Sequence, residues 1–141
     1  MDYTFRLVVE DDPDLAELGL LEDRVAAAAV AAGGVGSGQD LAVFVRDDAG
    51  TLIGGISGIT WGGYCELHAM WVDESVRGRG LARQLMAAAE EESRRRGCEQ
   101  VLFMAYDLLA PNLYERLGYE TIAVVEDCPA GSAARWYRKR L

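Results

Sequence analysis

The chain has 141 residues, half of them hydrophobic, with 23 acidic against 14 basic side chains and a formal net charge of −9. That length and hydrophobic share predict one folded domain with a real core, residues 1–141, and exclude a disordered chain. So acidic a chain lacks the diffuse basic surface that DNA or RNA requires, and no nucleic-acid partner is expected.

Residues 3–9 alternate and predict a first strand. Asp12 and Pro13 then mark a helix start, with Asp12 as N-cap and Pro13 at the first helical position. Leu15, Leu18 and Val25 set a helical face that runs to about residue 32, and Gly19 within it predicts a break between two short helices. The glycine-rich stretch 33–38 is a flexible connector inside the domain, because too little chain precedes it to fold alone. Residues 41–46 and 52–60 are two strands around the turn signal Asp47-Asp48-Ala49-Gly50, and Gly54, Gly55 and Gly58 predict a bulge or close backbone approach in the second.

Trp61-Gly62-Gly63 turns into a central strand, 64–72, rich in aromatic and alternating residues. A helix follows, with Leu81, Leu85, Ala88 and Ala89 at helical spacing. Glu90, Glu91 and Glu92 stand four residues before Arg94, Arg95 and Arg96, the favourable order for ion pairs, and Gly97 ends the helix. Those three arginines therefore receive no ligand role. Residues 101–106 read as a buried strand, 110–117 as a short helix closed by Gly118, 119–125 as a strand and 135–140 as a last, edge-like strand. A strand–helix–strand crossover through residues 64–106 implies parallel neighbours in a mixed sheet.

Three cysteines, odd in number and without C-x-x-C spacing, argue against a disulfide framework and against zinc, so no metal is expected. No signal-peptide pattern is visible, and the longest apolar stretch, 25–32, is too short to span a bilayer. The expectation is a soluble, cytoplasmic protein with no membrane partner.

Two stretches carry chemistry. In Arg77-Gly78-Arg79-Gly80-Leu81-Ala82-Arg83 the glycines let the backbone approach a ligand, and the following helix turns its unpaired N–H groups and positive dipole end toward the same spot. With arginines added, this is an anion site suited to phosphate. The stretch fits R/Q-x-x-G-x-G/A through Arg77, Gly80 and Ala82. Further on, Ala110, Leu113, Tyr114, Gly118 and Tyr119 fit N-x-x-A-x-x-L/F-Y-x-x-x-G-F/Y in register, with Asp107 where the pattern has Asn. With both motifs in order and one helix and one strand between them, the chain resembles the GNAT family of N-acetyltransferases over essentially its whole length.

The resemblance implies an α+β fold of three layers, with a mixed, mostly antiparallel sheet of about seven strands, a parallel pair at the cofactor cleft and helices on both faces. It implies transfer of acetyl from acetyl-CoA to a primary amine by direct attack in a ternary complex. Main-chain groups of Met70, Trp71 and Val72 would serve the pantetheine and the oxyanion, while Gly78, Arg79, Gly80, Leu81 and Ala82 hold pyrophosphate. Arg77 and Arg83 complete that loop, with Arg79 and Arg83 either salt partners of phosphate or solvated. Asn112 touches the cofactor or caps its helix, and Asp107 puts the usual asparagine contact in doubt.

Tyr114 corresponds to the tyrosine that protonates the leaving sulfur; the bland reading is a core tyrosine beside Leu113 and Leu117. Glu66 and His68 fall on one face of the central strand unless a bulge intervenes. Either could be the base or a partnered structural residue, and Glu66 is preferred. The acceptor is a small-molecule or peptide amine, lined in this family by the region corresponding to residues 18–38 and by the C-terminal strands, and the sequence does not identify it. A homodimer through the Trp136, Tyr137 strand is possible.

Other classes fit less well. A dinucleotide-binding oxidoreductase fails because Arg83 takes the place of the third glycine, and no G-K-[ST] exists for a P-loop. A non-catalytic acyl-CoA sensor with the same fold is the alternative.

Overall fold

The computed structural model of the chain describes residues 4–33 and 36–141. The chain divides into two compact units, Met1–Ser37 and Gly38–Leu141.

In the first unit the main element is α1 (Leu15–Gly33). It starts later than Asp12-Pro13 suggests. Asp14 is the cap, its Oδ1 accepting the Ala16 N–H at 2.8 Å, which leaves Pro13 just outside the helix. Gly19 does not break it, since one glycine costs a helix only about 1 kcal/mol relative to alanine. Residues 4–10 form no strand. Alternation of Phe5, Leu7 and Val9 says which face a strand would bury, but it does not supply a ladder to pair with. The first residue of that expected strand, Tyr3, and Gly34 and Val35 of the expected connector lie outside the described residues. Among the described residues no helix is long and apolar enough to cross a membrane.

The second unit is a six-stranded mixed sheet rather than one of about seven. Its strands are β1 (Gln39–Arg46), β2 (Leu52–Trp61), β3 (Tyr64–Val72), β4 (Gln100–Tyr106), β5 (Glu120–Glu126) and β6 (Ala133–Arg140), in the spatial order β1-β2-β3-β4-β6-β5. Only β3 and β4 pair in parallel, joined by the crossover helix α2 (Leu81–Arg95), and the one-turn α3 (Leu113–Arg116) follows β4. Leu85, Met86 and Ala89 of α2 pack with Ile56, Cys65, Leu67, Val101 and Phe103 of the sheet in one core.

Two expectations change. The strand 135–140 is no edge: β6 lies between β4 and β5, with Ala134 and Tyr137 buried, so β5 is the edge and the Trp136, Tyr137 strand offers no free flank for a dimer. The long stems of its charged residues reach partners, Arg138 on Glu120 and Lys139 on Glu90. On α2 the ion pairs differ from the expected ladder. Glu92 takes both Arg95 and Arg96, whose hydrogen bonds hold its pKa down to about 2, while Glu90 turns inward.

The close backbone approach expected in β2 is present at Gly58, but the bulged strand is β3. Ser57 faces Ala69 but Gly58 faces Leu67, so His68 is an extra residue on β3. Before it Cys65 and Leu67 turn to the core; after it Met70 and Val72 do, because one inserted residue reverses the alternation. Gly58 permits this crossing, since a Cβ there would lie 2.3 Å from the Glu66 carbonyl oxygen. Gly58→Ala is therefore expected to cost about 1–3 kcal/mol, read as a lower urea midpoint at unchanged slope. A midpoint equal to the parent's would show that the bulge does not need glycine.

Candidate active site

β3 and β4 pair only through Tyr64–Gln100, Cys65–Val101 and Glu66–Leu102. Beyond these, β3 stays on β2 as far as Val72, and β4 stays on β6 as far as Tyr106. The strands therefore part. In an extended chain successive main-chain groups point to opposite flanks, so alternate N–H and C=O groups of residues 67–72 face the gap with no strand opposite. The gap is an open cleft, walled by His68, Ala69 and Met70 of β3, Phe103 and Met104 of β4, and Tyr114 of α3, over a floor of Ile56, Leu67 and Met86.

Tyr114 is both a core and a cleft residue. Its ring packs edge-on to Phe103 with centroids 4.6 Å apart and lies 5.2 Å from Tyr137. Its hydroxyl has no hydrogen-bond partner among the described residues, and burial raises its pKa, so it stays protonated through the physiological range. Asn112 precedes α3 in the left-handed conformation at φ 63° and makes no side-chain cap; its carbonyl instead accepts from Arg116 Nε at 3.0 Å. The capping option for Asn112 is thus not realised.

The bulge falls on His68, so strict alternation with Glu66 does not apply. The two side chains nonetheless approach, His68 Nε2 lying 3.9 Å from Glu66 Oε1, with the imidazole 55% and the carboxylate 34% exposed. His68 lines the cleft and Glu66 does not.

At the far end of β3 the chain turns through a single 3₁₀ turn, Glu74–Val76, opened by Asp73, whose carboxylate accepts the Ser75 N–H at 3.0 Å. Arg77 Nε donates to the Val72 carbonyl at 3.0 Å, so this guanidinium ties the turn back to the strand. Gly78 and Gly80 have φ of 77° and 78°, and Gly80 caps α2 with no side chain over the helix end. A Cβ at either glycine would meet nothing within 4 Å, so the space beside the helix end is open to an anion. No carboxylate among the described residues lies within 4 Å of Arg79 or Arg83. Glycine cradle, bare helix end and open strand edge together fit a long ligand that carries phosphate at one end and amide groups along its arm.

Asp107 is engaged within the protein: Arg135 Nε donates to its Oδ1 at 2.7 Å. Beside it the buried Tyr137 donates to Glu115 Oε1 at 3.3 Å, and burial followed by the Glu115 charge pushes its pKa up to about 12. Sequence reasoning missed the cleft floor and the inward turn of Glu90. Both had a signal, since Met86 and Glu90 are four residues apart on the stripe of α2 that also carries Leu85, Ala89 and Ser93.

Residues 9–119 match the acetyltransferase (GNAT) family. The chain is 32% identical over 133 residues to an acetyltransferase of Agrobacterium fabrum, covering 94% of this chain and 97% of that one. It is 33% identical over 101 residues to a blasticidin-S acetyltransferase of Streptomyces morookaense, covering 71% and 74%. A crystal structure from Agrobacterium tumefaciens superposes with a TM-score of 0.86 at 30% identity, covering 97% of this chain and all of that one. Two more distant acetyltransferases of the same fold, at 22% and 15% identity, were solved with coenzyme A and acetyl coenzyme A. This chain belongs to the acetyltransferase (GNAT) family and is an N-acetyltransferase.

Proposed function

We propose that the chain acetylates a primary amine on a small molecule by direct attack within the β3–β4 cleft, and that residues 1–141 act as one transferase domain. The observation that carries this reading is the parting of β3 from β4, which sets His68, Tyr114 and a bare strand edge around one gap. Acetyl-CoA supplies an activated thioester there. Main-chain N–H groups of Gly78, Arg79, Gly80, Leu81 and Ala82 hold its pyrophosphate, with Arg79 and Arg83 as salt partners, while the edge at Met70, Trp71 and Val72 holds the arm and meets charge developing on the carbonyl oxygen. Arg77, whose Nε donates to the Val72 carbonyl, and Asn112, whose carbonyl accepts from Arg116 Nε, shape the two ends of this surface.

An alkyl ammonium has a pKa of about 10, so the acceptor must lose a proton before it can attack. His68 takes it, since an imidazole nitrogen can accept a proton and this one lies on the cleft wall. Glu66, 3.9 Å behind, stabilises the imidazolium. On this reading the base is the His68–Glu66 pair, with His68 on the cleft side. A C–N bond forms as the C–S bond breaks, and Tyr114, kept protonated by burial, passes its proton to the departing sulfur. The net charge of −9 favours a cationic acceptor, and the blasticidin-S acetyltransferase relative suggests a small one.

Three measurements test this. Tyr114→Phe is expected to lower kcat by about 10²-fold or more with acetyl-CoA affinity unchanged, and an unaltered kcat would remove Tyr114 as the acid. His68→Gln should slow the reaction more than Glu66→Gln, and the opposite order would return the base to Glu66. Gly80→Asp and Gly80→Asn both tolerate a left-handed backbone and differ in charge. Calorimetry should show the aspartate variant binding acetyl-CoA at least about 10-fold more weakly, whereas equal affinities would place the phosphates elsewhere.

A further inference from the structure

The helix that carries Tyr114 cannot hold itself in place. α3 is four residues long, and a single turn has too few hydrogen bonds to offset the cost of its nucleation. Its position must come from outside.

The outside support is buried and polar. Glu90, on α2, is only 7% exposed. Lys139 Nζ donates to both of its carboxylate oxygens at 3.1 Å, and the Tyr119 hydroxyl donates to Oε1 at 2.9 Å. Lys139 has a third contact, donating to the Leu117 carbonyl at the end of α3 at 3.0 Å. Gly118, beside the Lys139 stem, turns the chain at φ 92°, a conformation that favours glycine. The main chain completes the link: the Tyr114 carbonyl accepts N–H bonds from both Leu117 and Tyr119 at 3.0 Å. A buried carboxylate loses heavily if any partner withdraws, so the group favours one arrangement over others.

We propose that Glu90, Tyr119 and Lys139 are positioning residues, a clasp between α2 and the α3–β5 junction that fixes Tyr114 against the cleft. The inference rests on the reading of Tyr114 as the acid. It assigns the three residues no contact with substrate. What they do is join the helix that starts at the anion turn to the short helix that carries the proton donor, so that both ends of the co-substrate meet one rigid frame.

Tyr119→Phe is the informative variant. It keeps the ring against Phe103, 5.1 Å away between centroids, leaves Glu90 with Lys139, and deletes a single hydrogen bond. Steady-state kinetics and acetyl-CoA calorimetry are run on the parent, Tyr119→Phe, Tyr114→Phe and the double variant. The expected result is a kcat about 10-fold lower for Tyr119→Phe, acetyl-CoA affinity within about 2-fold of the parent, and no additional loss when the change is added to Tyr114→Phe. Glu90→Gln, which removes the charge and keeps the shape, should give the same pattern and stands in if Tyr119→Phe does not fold. An unchanged kcat, an affinity loss as large as the kcat loss, or losses that multiply in the double variant would each overturn the clasp. A full rate in Tyr114→Phe alone would overturn the acid reading, and the clasp with it, without reference to Tyr119.

Discussion

Parallel pairing between β3 and β4 stops at Glu66 and Leu102, although each strand continues for several residues on its outer flank. Unpaired main-chain groups inside a protein are costly, and an exposed strand edge invites association with any extended chain. A sheet that leaves two such edges facing each other needs something to keep them apart. Here the wedge is aromatic: Phe103, Tyr114 and Tyr137 pack against one another where β4 has left β3. Opening the sheet and placing the tyrosine are the same structural event, because the ring that fills the base of the gap is also the one that lines it.

The second half of the site depends on how β3 ends. One glycine on the neighbouring strand permits the bulge at His68, and the bulge sets which residues of 69–72 point to the core. Met70 and Val72 pack inward, so their side chains anchor the strand while main-chain groups along its edge stay available. Arg77 then carries the constraint onward by bonding the Val72 carbonyl, which fixes the distance between the strand edge and the glycine turn. An arginine that looks like a phosphate ligand in the sequence acts through its Nε as a strut. The remaining positive character comes from the helix end and from Arg79 and Arg83, which no carboxylate among the described residues neutralises.

Much of this was legible in the residues. Glycines at Gly78 and Gly80, the register of Ala110 to Tyr119 and the crossover through residues 64–106 fixed the order of elements and the place of the cleft, because each reflects a local backbone requirement. What was not legible depended on tertiary partners. Residues 4–10 alternate like a strand and form none, since pairing is decided by the neighbour. Arg135, Arg138 and Lys139 read as an exposed edge but belong to an interior strand, because salt bridges to Asp107, Glu120 and Glu90 let long charged side chains sit in a covered layer. Glu90 shows the same limit. Its place four residues before Arg94 suggested a surface pair, whereas its place four residues after Met86 put it on the buried stripe, and the buried option prevails because Lys139 and Tyr119 are there to meet it.

Asp107 brings these points together. An aspartate in the position that the family fills with asparagine would set a negative charge close to an anionic co-substrate, and in isolation that would weaken binding. Arg135 sits 2.7 Å from it and is itself interior to the sheet, so the charge is compensated before any ligand arrives. The cost of such a pair is that both members must stay together, since removing either would leave the other charge partly buried and alone. Beside the pair, the Asp107 N–H donates to the Ala133 carbonyl at 3.0 Å and bonds the end of β4 to β6. On the proposed reading, a departure that looks unfavourable for binding in the sequence thus becomes a brace for the far wall of the cleft, and the asparagine's polar contact is replaced by rigidity on the side opposite the open edge of β3.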